Sequence, residues 1–228
     1  MRSNKIEKIL ITEMLQGLYT IPILPDEILG IYIYGSRLYG NDTENSDLDY
    51  VIVVSDEVSL FPNDYGQWES EDLDLHFWTE SGYKIALENH DIMALECYFQ
   101  EDPIMKYEVN FKLNLQMLRK SISSVTSNSW VKAKKKITLK DEDSKVGLKS
   151  YYHVFRILDF GTQIAKYGKI LNYSYYGAMS PVRDKNIENI RNPKWEYWDK
   201  KLKPLYNARK TEFKKYAPKA PKLIQKEG

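Results

Sequence analysis

Apolar and polar positions along the chain fall into two regimes. "SNKIEKILITEMLQGLY" opens on Ser3 as a helix cap and spaces Ile6, Ile9, Leu10, Met14, Leu15 and Leu18 near a 3.6-residue period, which predicts an amphipathic first helix. Three strand patterns follow. "ILGIYIYG" (28–35) is a β-branched and aromatic run stopped at Gly35, and "LDYVIVVSD" (48–56) carries the continuous apolar stretch of a strand buried on both faces. In "DLDLHFWT" (72–79), Leu73, Leu75 and Phe77 alternate with Asp72, Asp74, His76 and Trp78.

Helical periodicity dominates beyond that point. "GYKIALENHDIMALECYF" supplies one or two helices, with Asp91 as a cap before Ile92, Leu95 and Phe99. The runs at 112–137 and 141–170 read as long helices, the second ending near Gly168, and 193–216 reads as a last helix before a loose tail. The expected class is α+β: a small mixed sheet with helices over residues 1–110, followed by a helical half over 111–228 with a basic C-terminal tail.

With 228 residues and 43% hydrophobic content, the chain can bury a sizeable core. The single cysteine, Cys97, excludes an internal disulfide framework, follows Ala94-Leu95, and reads as a buried core thiol in a reducing, cytoplasmic setting. No apolar run reaches the roughly 18–20 residues of a membrane span, and the N-terminus turns polar too soon for a signal peptide, so neither membrane anchor nor export is expected. Net charge is only +1, but residues 41–108 hold 18 acidic and 2 basic side chains, leaving 31 basic and 14 acidic for the remainder. Such segregation suits a polyanion bound with its cations, and it equally suits two oppositely charged solvated surfaces.

The chemistry concentrates in "YGSRLYGNDTENSDLDY" (34–50). Asp47 and Asp49 stand two apart at a strand start, so both carboxylates leave the same face. Their mutual repulsion is relieved by a cation, and oxygen-only ligands suit Mg2+ or Mn2+. A third carboxylate from the later strand would complete a two-metal site: Asp74 is the first choice and Asp72 the fallback, because both lie on its polar face. Gly35-Ser36, at the end of the preceding strand, permits close backbone approach and offers amides and a hydroxyl to a phosphate. Phosphate at one end and metal at the other is the arrangement of phosphoryl or nucleotidyl transfer. Arg37 and Ser46 join Gly35 and Ser36 as candidate nucleotide-binding residues.

These residues resemble the nucleotidyltransferase fold of the DNA polymerase beta superfamily: an apolar strand, Gly-Ser, a loop, an Asp-x-Asp pair and a later carboxylate, here "YIYGSRLYG", "SDLDYVIVV" and "DLDLHFWT". "GSRLYG", "SDLDY", "IMALECYF" and "KSYYHVFRILDFGTQIAKYGKI" are similar to the small predicted nucleotidyltransferases of bacteria and large phages, some linked to RNA ligases. The resemblance implies transfer of a nucleoside monophosphate from an NTP, with Mg2+, to a hydroxyl or phosphate acceptor. It implies that Asp47 and Asp49 bind metal, that Asp74 completes the site and helps deprotonate the acceptor, and that Gly35-Ser36 holds the triphosphate. Without Asp74 or Asp72 in the third position, the chain would instead be a catalytically silent nucleotide-binding or antitoxin-like partner.

In the helical half, Lys149, His153 and Arg156 fall at i, i+4 and i+7, a basic stripe able to clamp a triphosphate, opposite Val154, Ile157 and Leu158. Lys132, Lys135 and Lys136 share a face. Residues 193–228 carry 11 basic against 4 acidic groups interleaved with Trp195, Tyr197 and Trp198, so RNA is one acceptor to weigh beside a protein hydroxyl or a small molecule. His76 and His90 lack partners at metal-ligand spacing and read as ordinary surface or interface residues.

Overall fold

The computed structural model describes residues 23–58, 63–70, 72–137, 142–174 and 195–219; the helix expected over 3–19 and most of the tail lie outside them. The chain divides into two compact units, one running through Lys112 and taking back the segment from Asn172, the other spanning Leu113–Leu171 and including the last helix.

The first unit contains β1 (Ile28–Ile33), a one-turn helix α1 (Gly35–Leu38), β2 (Leu48–Val54), β3 (Tyr65–Glu69), β4 (Leu73–Thr79), α2 (Glu80–Glu88) and α3 (Ile92–Tyr98). The strands form a mixed sheet in the order β1-β2-β4-β3, with β1 antiparallel to β2, β2 parallel to β4, and β3 antiparallel to β4. The expected strands are present within one or two residues. β3 was not anticipated: its "YGQWE" alternates exposed and covered positions at a sheet edge, with only Gly66 fully buried, so it has almost no apolar signature.

One sheet face builds an apolar cluster from Ile28, Ile31, Tyr50, Ile52, Val54, Leu73, Leu75 and Phe77, joined by Ile23, Val58 and Ile104. The alternate positions of β2 and β4 face α2 and α3, where Tyr83 of α2 lies against Tyr32 and Trp78. Burial of Val51, Ile52 and Val53 at 0% exposure confirms a strand covered on both faces. Helix starts are fixed by side-chain caps: Thr79 Oγ1 accepts from the Gly82 amide for α2, and at the cap that the sequence predicts for α3, Asp91 accepts from the Met93 and Ala94 amides. Cys97 is fully buried in α3.

The second unit contains α4 (Leu115–Ile137), α5 (Glu142–Tyr167) and α6 (Trp195–Tyr216). α5 stops at Gly168, whose φ of +73° is the left-handed ending expected there. α4 and α5 approach closely where a Cβ on Gly161 would lie 3.0 Å from Ile122 Cγ1. Trp130 stacks on Tyr206 with ring centroids 4.4 Å apart, and the Arg119 guanidinium donates to the Ala217 carbonyl at 2.6 Å just past the end of α6. The chain is thus an α+β protein with a small mixed sheet and a helical C-terminal part. No helix among the described residues is long and apolar enough to cross a membrane.

Candidate active site

The ladder between β2 and β4 decides which carboxylates meet. Parallel pairing puts Asp49 opposite Asp74, Tyr50 opposite Leu75 and Ile52 opposite Phe77. Because Tyr50, Ile52, Leu75 and Phe77 belong to the apolar cluster, strand alternation sends Asp49 and Asp74 together to the other face. Asp47 is exposed, one residue before β2 begins. Asp72 stands just before β4, where its backbone carbonyl accepts from the Leu48 amide at 2.8 Å.

The Gly-Ser turn lies directly against this pair. The Tyr34 amide donates to the Asp49 carbonyl at 2.9 Å, tying the end of β1 to β2. Gly35 then takes φ of +64°, and a Cβ there would fall 1.9 Å from Asp49 Oδ2, so only glycine lets the backbone pass the carboxylate. Ser36 is half-buried and Arg37 exposed. Ser46 closes a loop turn: its Oγ accepts from the Thr43 amide at 2.8 Å, and its own amide donates to the Thr43 carbonyl at 3.0 Å.

Asp74 is surrounded by residues that the sequence did not signal. Gln67 of β3 donates from Nε2 to Asp74 Oδ1 at 2.9 Å, and His76 Nε2 lies 3.5 Å from Asp74 Oδ2. The other imidazole nitrogen, Nδ1, shares a hydrogen bond of 2.7 Å with the Tyr65 hydroxyl, and the Tyr34 ring meets the imidazole edge-on. Burial lowers the His76 pKa, against the opposing pull of Asp74 and Glu69. The expectation that His76 and His90 are surface or interface residues is therefore corrected. They are 8% and 2% exposed, His76 covered by Tyr34 and Tyr65, His90 set against Phe111. His76 was already on the polar face of its strand; what covers that face is a tertiary fact that alternation does not report.

Among the basic candidates, Lys149 is exposed on α5, while Arg156 is 7% exposed and His153 partly buried. The Arg156 guanidinium donates to His153 Nδ1 at 2.9 Å and stands 5.9 Å from the Phe160 ring centroid. Burial and nearby Lys132 push the His153 pKa down to about 4. The stripe is thus not three solvent-facing cations: at neutral pH His153 is an uncharged acceptor for Arg156. Val154, Ile157 and Leu158 are buried as expected. Lys132, Lys134 and Lys135 are exposed, whereas the side chains of Trp195, Tyr197 and Trp198 lie outside those described.

The donors around Asp49 are hard oxygens, of the kind Mg2+ or Mn2+ takes. Asp49 and Asp74 adjoin in register with the exposed Asp47 two residues upstream, a set whose chemistry fits such an ion. Among the described residues, no three His, Cys, Asp or Glu side chains are already gathered into a cage.

A mixed sheet with a glycine turn packed on one of two adjacent strand carboxylates defines a nucleotidyltransferase-type core. The sequence profile of the nucleotidyltransferase domain matches residues 23–137, half of the chain, and the chain belongs to that family. Among solved structures, a nucleotidyltransferase-like protein from Exiguobacterium sibiricum 255-15 aligns over 94% of this chain and 74% of its own, at 11% identity and a TM-score of 0.31. So distant a likeness adds nothing to the reading of the site. No curated protein matches the chain.

Proposed function

We propose that this protein transfers a nucleoside monophosphate from an NTP to a hydroxyl or phosphate acceptor and releases pyrophosphate. The observation that carries the reading is the meeting of Asp49 with Asp74 across β2 and β4, with Gly35 packed on the Asp49 carboxylate. Family membership supports the transferase class.

In this reading the backbone and hydroxyl of Gly35-Ser36 receive the triphosphate, with Arg37 and Ser46 alongside. Asp47, Asp49 and Asp74 would hold Mg2+ or Mn2+, whose charge would offset that building on the transferring phosphoryl oxygens. The acceptor oxygen bonds to the α-phosphorus as the bond from that phosphorus to the β-bridging oxygen breaks and pyrophosphate departs. The acceptor proton passes to Asp74, whose orientation is set by Gln67 and His76. An RNA end, a protein hydroxyl and a small molecule all present the same nucleophile.

The test is incubation with each α-labelled NTP, Mg2+ and cell extract, followed by identification of the labelled species. Label transfer with stoichiometric pyrophosphate, lost in Asp49→Asn and Asp74→Asn, supports the assignment; label transfer undiminished in both variants overturns it. A second reading, a catalytically silent nucleotide-binding or antitoxin-like partner, is favoured by one observation: Asp74 is already engaged by Gln67 and His76. NTP binding with no pyrophosphate release for any acceptor would select it.

A further inference from the structure

α3 carries a carboxylate that the proposed chemistry does not use. Glu96 is 0% exposed, so it touches neither substrate nor solvent. The Tyr39 hydroxyl donates to its Oε2 at 2.5 Å, and the Tyr34 side chain hydrogen-bonds to the same carboxyl group. These two tyrosines bracket α1: Tyr34 is its N-cap and Tyr39 its C-cap, and their rings meet edge-on at 5.9 Å. One turn further along the same chain, Gln100 Nε2 donates to the carbonyl of Ile33, the last residue of β1, at 2.9 Å. From the segment that returns after α5, the Tyr173 hydroxyl donates to the Glu96 backbone carbonyl at 2.7 Å. The entry, start and end of the Gly-Ser turn are therefore all tied to one short stretch, Glu96 to Gln100, at the end of α3 and just past it.

Burial and the like charge of Asp91 raise the Glu96 pKa well above its ordinary value. A buried acid is a costly occupant of a helix core where leucine would pack without polar atoms to satisfy. What leucine lacks is an acceptor for Tyr34 and Tyr39.

We propose that Glu96 is a positioning residue, a carboxyl tether that fixes Tyr34 and Tyr39 and so holds the Gly35-Ser36 turn in the shape that receives a triphosphate. The proposal rests on the nucleotide-binding reading of that turn, and its test separates the two. Wild type, Glu96→Gln, Glu96→Leu and the double variant Tyr34→Phe with Tyr39→Phe are compared in two measurements. The first is amide hydrogen exchange of residues 36–41 relative to β2, and the second is calorimetric binding of magnesium tripolyphosphate, which carries no base. Glutamine keeps an acceptor oxygen in the same place, so Glu96→Gln stays within about twofold of wild type in both. Loss of two hydrogen bonds in Glu96→Leu accelerates exchange in the turn and weakens tripolyphosphate, each by about tenfold. The tyrosine double variant keeps the core volume and gives the same loss if Glu96→Leu does not fold. Wild-type exchange in the double variant overturns the tether, as does a Glu96→Gln variant as impaired as Glu96→Leu, which would make the ionised form the working one. If wild type binds no tripolyphosphate, the nucleotide reading of the turn falls while the exchange measurement still decides the tether.

Discussion

Gly35→Ala adds a single methyl group where the site has no room for it. Two independent effects oppose that methyl. The residue sits at φ of +64°, a left-handed conformation that costs an L-residue about 1–2 kcal/mol. Its new Cβ would also lie 1.9 Å from Asp49 Oδ2, 2.3 Å from Cγ and 2.8 Å from Cβ. A rotamer change relieves the first two contacts, but Asp49 Cβ is fixed by the β2 backbone, so the turn and the strand must separate. Overpacking of this kind costs about 1–3 kcal/mol. Together the two amount to about 2–5 kcal/mol, a large share of the roughly 5–15 kcal/mol typical of a domain. The same separation moves the Asp49 carboxylate relative to the turn, and a misplacement of about 1 Å costs on the order of 100-fold in rate.

Gly168→Ala is the matched control: φ is +73°, yet nothing lies within 4 Å of a Cβ there, so only the backbone cost of about 1–2 kcal/mol applies. Urea unfolding followed by circular dichroism gives the stabilities, and Mg2+-dependent pyrophosphate release, measured where all three proteins are folded, gives the rates. Gly35→Ala should lose more stability than Gly168→Ala and about 100-fold in rate, while Gly168→Ala keeps its rate. Equal stability losses with unchanged activity in both would refute the close packing of turn and carboxylate as a functional contact.

Asp72→Asn should retain pyrophosphate release while Asp74→Asn loses it, because the β2–β4 register sets Asp74 and not Asp72 against Asp49; a reversed order would overturn the assignment of Asp74 as the partner of Asp49. The His153 imidazole should titrate near pH 4 by NMR, protonating only well below its ordinary value of 6.5, and titration at that ordinary value would mean that the ring is not buried beside Lys132. Glu96→Gln should gain stability over wild type as pH rises. The raised folded-state pKa favours the native state below the ordinary value of 4.5 and withdraws that stability above it, at up to about 1.4 kcal/mol per pH unit, so a pH-independent gap in unfolding midpoints would contradict burial of a protonated acid.

The elements legible in the sequence are those whose burial is one-sided or complete. β2 announced itself by five consecutive buried positions, Tyr50 to Val54, and α3 by an aspartate cap ahead of an apolar face. β3 did not, since the covered positions of this short edge strand are only a glycine and a part-buried tryptophan, and with it went Tyr65 and Gln67, the residues that reach His76 and Asp74. Choosing between Asp72 and Asp74 depended on strand register, which two residues on one polar face cannot encode. Register follows from which apolar side chains pair across the ladder, and that is settled only when Tyr50 meets Leu75 and Ile52 meets Phe77.

Glu96 is a different case, because its signal was present. Ile92, Leu95 and Phe99 define the inward face of α3, and position 96, four residues after 92, falls on that face. An acid on an apolar stripe is a local conflict between pattern and residue, and such conflicts are tolerated where something else compensates. Here the compensation comes from Tyr34 and Tyr39, 62 and 57 residues back along the chain, on either side of the motif that carries the candidate chemistry. The same helix therefore closes the core through Leu95 and Cys97 and shapes the turn through Glu96. A hydrophobic substitution at Glu96 would satisfy the helical pattern better, and on the physical grounds given it would loosen the turn at Gly35.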